Sequence, residues 1–373
     1  MLVPLLEIVG GCPVAPPTDD GADVLAHRLG RHGEVALIDR DGATGPGSSN
    51  WATLRRILRA AACRVDGAIG SETDARRLVR AGAHKVVMAP DVSGNILARL
   101  PRNRIMATVD LDRCTDKEAL ALISSLASQV SGFLLKTEES SVEAVFGRVS
   151  SLRGATSLPL TLATRSISLE GLLALDQVHV DVQCTFTCLD PTEAFIACMD
   201  FSHGPCPAVL QDQSGQVVEV ARCDADSLRL ALLGGGLPFG ELARDRGRLV
   251  RAMPDKDRRA LLLRIELSGQ AFRRGQYSSF GDGAREFFVH RLFEWLSEGR
   301  RNPRPGAYVT YLFQKSDRIA RKLNEEVFEL LTARNHEDVA AEAADVVFFL
   351  TAFLVQNGVS LDEVLAELSA RER

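Results

Sequence analysis

The chain has 373 residues, 46% hydrophobic and 25% charged, with a formal net charge of −5. That length suits two or three domains, the composition excludes a disordered or fibrous chain, and the acidic balance excludes the bulk positive field of a nucleic-acid binder. The sequence holds no uncharged apolar run of the roughly 18 residues that a membrane span needs, and MLVPLLEIVGG lacks the basic region of a secretory leader. Eight scattered cysteines without a C-x-x-C read as thiols of a reducing compartment. The expectation is a cytoplasmic protein that meets neither membrane nor nucleic acid.

Residues 1–195 alternate short apolar runs with amphipathic stretches. The spacing predicts strands at 3–9, 35–39, 64–69, 85–90, 104–111, 132–137, 158–164 and 178–184, with helices between them, as at 51–62 and 71–83. Eight such units of about 24 residues predict a compact (βα)8 barrel. IDRDGATGPGSSNWATLRRI (38–57), GAIGSETDARRLVRAGAHKVVM (67–88) and VDVQCTFTCLDPTEAF (180–195) resemble the phosphoribosylformimino-AICAR-ribotide isomerase barrel. The resemblance implies two catalytic aspartates at the ends of opposite strands. Glu7 stands at the first position, and KTEESS (136–141) does not match the motif of the second. Thr164, Arg165 and Ser166 replace the Gly-Gly phosphate loop, and backbone amides approach a phosphate closely only where side chains are absent. The barrel is therefore expected to be catalytically silent, with Asp39 and Asp41 as loop-capping residues.

Residues 196–300 resemble phosphoribosyl-AMP cyclohydrolase, an α+β fold, through GPCPAVLQDQSGQVVEVARCDADSLRLALLGG (204–235), DKDRRALLLRI (255–265) and QAFRRGQYSSFG (270–281). The resemblance puts Lys256, Phe272 and Ser279 where that family has its three zinc-binding cysteines. These side chains cannot replace three thiolates around Zn²⁺. Arg259 replaces the third aspartate of an acidic run, and FGELARDRGRLVRAMP (239–254) lacks the family's phosphate-holding stretch. Asp255 and Asp257 remain, as turn residues. The domain is expected to be degenerate, without cyclohydrolase activity. REFFVHRLFEWLSEGRRNPRPG (285–306) reads as a helix closing this region, then a linker.

Residues 301–373 carry most of the chemistry. RKLNEEVFELLTAR (321–334) and DVAAEAADVVFFLTAFL (338–354) read as antiparallel helices joined by a turn at Asn335 and His336. Glu326 and Glu329 are spaced i, i+3, as are Glu342 and Asp345, so each pair projects from one helix face. Four carboxylates gathered on a hairpin repel one another unless a hard divalent cation collects their oxygens. Ala341, Ala343, Ala344, Val346 and Val347 surround the second pair, which predicts an acidic pair embedded in a buried helix. The pattern reads as a Mg²⁺ site for polyphosphate chemistry, against the plainer reading of solvated glutamates on amphipathic helices.

GAYVTYLF (306–313), KLNEEVFELLTA (322–333), EAADVVFFL (342–350) and GVSLDEVLAELSAR (358–371) resemble the phosphoribosyl-ATP pyrophosphohydrolase domain of histidine biosynthesis. That resemblance implies an all-α domain that uses Mg²⁺ to split phosphoribosyl-ATP into phosphoribosyl-AMP and pyrophosphate. Glu325, Glu326, Glu329, Glu342 and Asp345 fall on its acidic positions and Lys322 on its basic one. Ala307 departs from the family's G-S-Y block. Glu326, Glu329, Glu342 and Asp345 are the expected metal ligands. Glu325 or Glu326 is expected to orient or deprotonate water, and Lys322 to neutralise phosphate charge. VVFFLTAFL (346–354) is too apolar for a lone hairpin, which predicts a homodimer through this domain.

The whole chain thus reads as multidomain, α/β followed by all-α, in the order found in multifunctional histidine-biosynthesis proteins of fungi but without their histidinol dehydrogenase region. The leading expectation is a Mg²⁺-dependent pyrophosphohydrolase with a nucleotide substrate, the other domains serving as scaffold. The rival is a non-catalytic paralogue that binds a nucleotide or a partner protein.

Overall fold

The structure is a computed structural model that describes residues 1–15, 21–42, 50–67, 69, 71–90, 100–139, 142–185, 189–213, 215–240, 247–267, 277–280 and 289–369. Phe272 lies outside these residues. The chain divides into two compact units, Met1–Asp282 with Ala366–Arg373, and Gly283–Leu365.

The first unit opens with β1 (Leu2–Val9) and β2 (Cys12–Ala15), then α1 (Ala22–Gly30), β3 (Val35–Asp39), α2 (Trp51–Ala60), β4 (Cys63–Asp66), α3 (Glu72–Arg80) and β5 (Lys85–Met88). It continues through β6 (Ile105–Asp110), α4 (Asp116–Leu126), β7 (Gly132–Lys136), α5 (Val142–Gly154), β8 (Leu160–Ala163), α6 (Leu169–Gln177), β9 (Val180–Cys184) and α7 (Pro191–Ala197). All eight expected strands form. β1 and β3 to β9 pair in parallel, and β1 also pairs with β9, so the sheet closes into an eight-stranded barrel. β2 was not expected. It folds back antiparallel on β1 through Gly10 and Gly11, whose φ of 56° and 79° suit a two-residue hairpin turn.

Strand alternation divides the barrel residues. Leu6, Ile8, Leu37, Val65, Leu135 and Val182 face the helices in the main core, whereas Val3, Leu5 and Ala36 form one smaller buried cluster and Val87, Met106 and Leu134 another. The strand starts carry a buried ionic network. Arg64 donates through Nε to Glu34 Oε2 (2.8 Å) and through Nη1 to Thr161 Oγ1 (2.8 Å), and His84 Nδ1 lies 2.6 Å from Glu34 Oε1. Burial pushes the Glu34 carboxyl upward, but the Arg64 guanidinium and the His84 hydrogen bond outweigh it and hold it well below the usual range.

Next come β10 (Cys206–Gln211), β11 (Val217–Cys223), α8 (Ala225–Gly234), β12 (Gly247–Pro254) and β13 (Leu261–Leu267). These strands form a separate sheet in the order β11-β10-β13-β12. Arg31 ties it to the barrel. Its Nη1 donates to Leu233 O (2.7 Å) at the end of α8, and its own carbonyl accepts from Ala252 N (2.8 Å). Gly235 caps α8 with φ 76°, and a Cβ there would lie 2.9 Å from Arg31 Cζ, so both the conformation and the close approach require glycine.

The second unit is helical: α9 (Val289–Arg301), α10 (Tyr308–Phe313), α11 (Ser316–Thr332) and α12 (His336–Asn357), with α13 (Leu361–Ser369) beginning inside it. Leu292, Leu296, Val309, Leu312, Ile319, Phe349, Ala352 and Val355 make its core. Among the described residues no helix is long and apolar enough to cross a membrane.

Candidate active site

The turn between α11 and α12 forms where expected. Asn335 caps α12, its side chain accepting from Asp338 N (2.8 Å), and Gly358 ends it with φ 67°. On α11 the stripe that faces the core runs Ile319, Leu323, Glu326, Leu330 at helical spacing. A glutamate thus occupies a position where an apolar residue would pack. Glu326 is 7% exposed. On α12, Glu342 precedes buried Phe349 by two turns and points to the same side.

This register brings Glu326, Glu329 and Glu342 together, each with an oxygen within 4.8 Å of the others. Glu326 is buried, Glu342 half-buried and Glu329 exposed. Glu342 Oε2 is buried and accepts no hydrogen bond. Its burial, and then the charges of Glu329, Glu326 and Asp345, raise the Glu342 carboxyl above its ordinary value. A buried oxygen without a donor beside two further carboxylates is a set of groups that could hold a hard divalent cation.

Asp345 is exposed and lies outside the three-residue group, though near enough to raise Glu342. The expectation of a buried setting for the second pair is corrected here. Ala341, Ala344 and Val347 are exposed and Ala343 and Val346 half-buried. The burial falls on the first pair, at Glu326. The stripe of apolar residues interrupted by Glu326 was the signal for it.

Lys322 lies one turn before the cluster, its Nζ 3.0 Å from Glu325 and 3.5 Å from Glu326. The hydrogen bond that Lys322 donates to Glu325 and the charges of both glutamates raise its pKa. Glu325 is exposed, so it neighbours the cluster without joining it. Ala307 is the N-cap of α10 and supplies no side-chain hydrogen bond, the physical consequence of its departure from serine.

In the middle region Asp255 Oδ1 accepts from Arg259 N (2.7 Å) and Ala260 N (2.9 Å), as a turn residue. Lys256 pairs with Asp257 at 3.1 Å, and Ser279 Oγ donates to Val218 O at 3.3 Å. At the barrel mouth Glu7 pairs with Arg40 (2.7 Å), Asp39 Oδ1 accepts from Asp41 N (3.2 Å) and Asn50 Nδ2 (3.0 Å), and Asp41 accepts from Gly10 N (2.6 Å). Asp41 and one oxygen of Asp39 are engaged by loop groups, while Asp39 Oδ2 is buried with no hydrogen-bond partner among the described residues. Thr164 Oγ1 donates to Ser166 O (3.1 Å), closing the stretch that stands in place of the phosphate loop.

Residues 289–372 match the family model of phosphoribosyl-ATP pyrophosphohydrolase. The histidine biosynthesis bifunctional protein HisIE of Halalkalibacterium halodurans is 33% identical over 196 residues, 46% of this chain and 93% of that protein. The HisIE protein of Caldanaerobacter subterraneus subsp. tengcongensis is 28% identical over 190 residues, 45% of this chain and 93% of that protein. The phosphoribosyl-ATP pyrophosphatase of Leuconostoc mesenteroides subsp. mesenteroides is 38% identical over 86 residues, 22% of this chain and 75% of that protein. The model match spans α9 to α13 and so contains all six candidate residues. With the family's sequence pattern folded into the helices that gather its carboxylates, this chain belongs to the phosphoribosyl-ATP pyrophosphohydrolase family.

Proposed function

We propose that this protein is a Mg²⁺-dependent pyrophosphohydrolase that cleaves phosphoribosyl-ATP, or a related nucleoside triphosphate, to the monophosphate and pyrophosphate. The observation that supports it most is the buried, donorless Glu342 Oε2 beside Glu326 and Glu329, since a divalent cation would relieve the repulsion among three carboxylates at that distance. Glu326, Glu329 and Glu342 would hold the ion, with Asp345 adding charge from the next turn. Bound Mg²⁺ would supply polarised phosphoryl oxygens and more acidic water. Lys322, aligned by Glu325 and Glu326, neutralises the polyphosphate. Glu325, exposed and paired with Lys322, or Glu326 would orient or deprotonate the attacking water. The test is pyrophosphate release by the full chain, with and without Mg²⁺.

The middle region is proposed to lack cyclohydrolase activity. Lys256 and Ser279 stand where the resemblance puts two of the three zinc ligands, and neither an ammonium nor a hydroxyl supplies the thiolate that Zn²⁺ needs there. Metal analysis of purified protein is expected to find no stoichiometric zinc. Tightly bound zinc, or conversion of phosphoribosyl-AMP, would contradict this.

The helical unit is proposed to work as a homodimer, in the cytoplasm. Phe328 and Leu331 on α11 are 66% and 78% exposed, and Val339, Val347 and Leu350 share one side of α12 with 41%, 41% and 43% exposure. Apolar stripes of this kind need cover. Solution mass measurement at micromolar concentration is expected to give twice the chain mass, and charged substitutions at Phe328 and Leu331 to give the monomer. A strictly monomeric wild type would contradict the proposal.

A further inference from the structure

The turn after β12, DKDRR (255–259), carries three cations, with Arg259 where the cyclohydrolase resemblance has an aspartate, and the pyrophosphohydrolase reading makes no use of it. In the folded chain Lys256, Asp257, Arg258 and Arg259 line an open cavity of about 500 Å³ with Asp176 at the end of α6 and His179 in the α6–β9 turn. That volume lies within the roughly 300–1,000 Å³ typical of ligand sites. Among the described residues the two non-glycine positions with a left-handed backbone are His179 (φ 56°) and Arg258 (φ 61°), and both line it. Such conformations cost energy and concentrate at ligand-binding sites. The turn is held rigidly, with Arg258 O accepting from Asp200 N (2.8 Å) and Asp255 accepting from the two following amides.

Each of the three cations has a carboxylate partner, Asp257 for Lys256, Asp176 for Arg258 and Asp200 for Arg259, and two of these carboxylates line the groove. One of these, Asp176, is already neutralised by the N-terminal ammonium of Met1 (2.8 Å) as well as by Arg258 Nη2 (2.7 Å). Burial raises the Asp176 carboxyl, but the Arg258 hydrogen bond and that ammonium prevail and hold it below its ordinary value, so it stays ionised and occupied. The other, Asp257, holds Lys256 in a pair whose side chains are 87% and 58% exposed, which water and ions loosen readily. Arg259 keeps one nitrogen, Nε, on Asp200 (2.7 Å) and is 61% exposed. A guanidinium fork and an ammonium on a rigid turn suit the several oxygens of a phosphate better than a single carboxylate.

We propose that this groove, at the junction of the barrel and the four-stranded sheet, binds a small phosphomonoester through Lys256 and Arg259, beside Arg258, whose Nε (3.4 Å) and Nη2 (2.7 Å) are held by Asp176. The site is separate from the carboxylate cluster and does not depend on its activity.

The probes are ribose 5-phosphate and inorganic phosphate, titrated calorimetrically into the full chain with EDTA present so that the cluster of glutamates repels them. Ribose 5-phosphate is expected to bind saturably and more tightly than inorganic phosphate. K256E/R259E is expected to weaken it by about tenfold or more, from the loss and reversal of two charge-assisted contacts. Lys256→Gln repeats the test without disturbing the Arg259–Asp200 pair and is expected to weaken binding by a smaller factor. Glu329→Gln is expected to leave binding unchanged. Absence of saturable binding, or equal binding by wild type and both Lys256 variants, overturns the proposal.

Discussion

Replacing Glu329 with Gln is expected to remove pyrophosphate release, by on the order of 10²–10³-fold, while leaving the fold intact. The magnitude follows from losing one carboxylate of a site whose cation supplies several kcal/mol of charge stabilisation in the transition state. Glutamine keeps the size of the side chain and removes only its charge. The fold survives because Glu329 is exposed and because its charge opposes the neighbouring Glu342. A carboxyl raised in the folded state contributes stability below its ordinary pKa of 4.5, and that contribution is lost as pH rises through the raised value. At neutral pH the metal-free cluster is therefore under repulsion, which the substitution relieves. Activity assays of wild type and variant with matched circular dichroism check both halves. A variant that unfolds, or one that retains full activity, contradicts the account.

Arg64→Ala is expected to destabilise the barrel by about 3–5 kcal/mol, the usual cost of leaving one partner of a buried ion pair uncompensated. The Arg64 and Glu34 side chains are 5% and 8% exposed, and Arg64 also holds Thr161. Urea unfolding of the full chain measures it. The pH dependence separates charge from packing. Glu34 is held below its ordinary 4.5, so its contribution is present above that pH and is lost as pH falls through the lowered value. Wild type should lose stability on acidification over that range, and Arg64→Ala should lose less. The double substitution of Glu34→Gln with Arg64→Met should recover part of the loss, because no buried charge is then left unpaired.

What was legible in the sequence was periodic. Eight apolar runs at regular spacing announced the barrel strands, and helical spacing announced α11, α12 and the pairing of their carboxylates. The Asn335 turn was legible because capping chemistry is local. The features that escaped depend on closure of the fold. Arg64 meets Glu34 at a separation of 30 residues and Thr161 at 97, contacts that only the finished barrel creates. The β1–β2 hairpin had a signal in Gly10-Gly11, but too short a strand followed it. The carboxylates showed the same limit. Apolar neighbours in sequence suggested that the second pair was embedded, yet Asp345 is exposed and Glu326 is the buried acid. Neighbours along a helix describe all of its sides at once, whereas burial depends on which side meets the core. The groove beside DKDRR was invisible because half of it comes from the end of α6 and the turn after it, 77 residues or more away along the chain, counting from His179 to Lys256 (256 − 179).

The most direct test of the central claim is pyrophosphate release from phosphoribosyl-ATP and a panel of nucleoside triphosphates by the purified full chain. The account predicts release from at least one of them with Mg²⁺ present, none with EDTA, and recovery when Mg²⁺ is restored. It also predicts that phosphoribosyl-AMP, where formed, accumulates without further conversion. If no nucleotide yields pyrophosphate and the chain binds no divalent ion, the carboxylate cluster is not a hydrolytic centre, and the protein is a non-catalytic relative of the pyrophosphohydrolases.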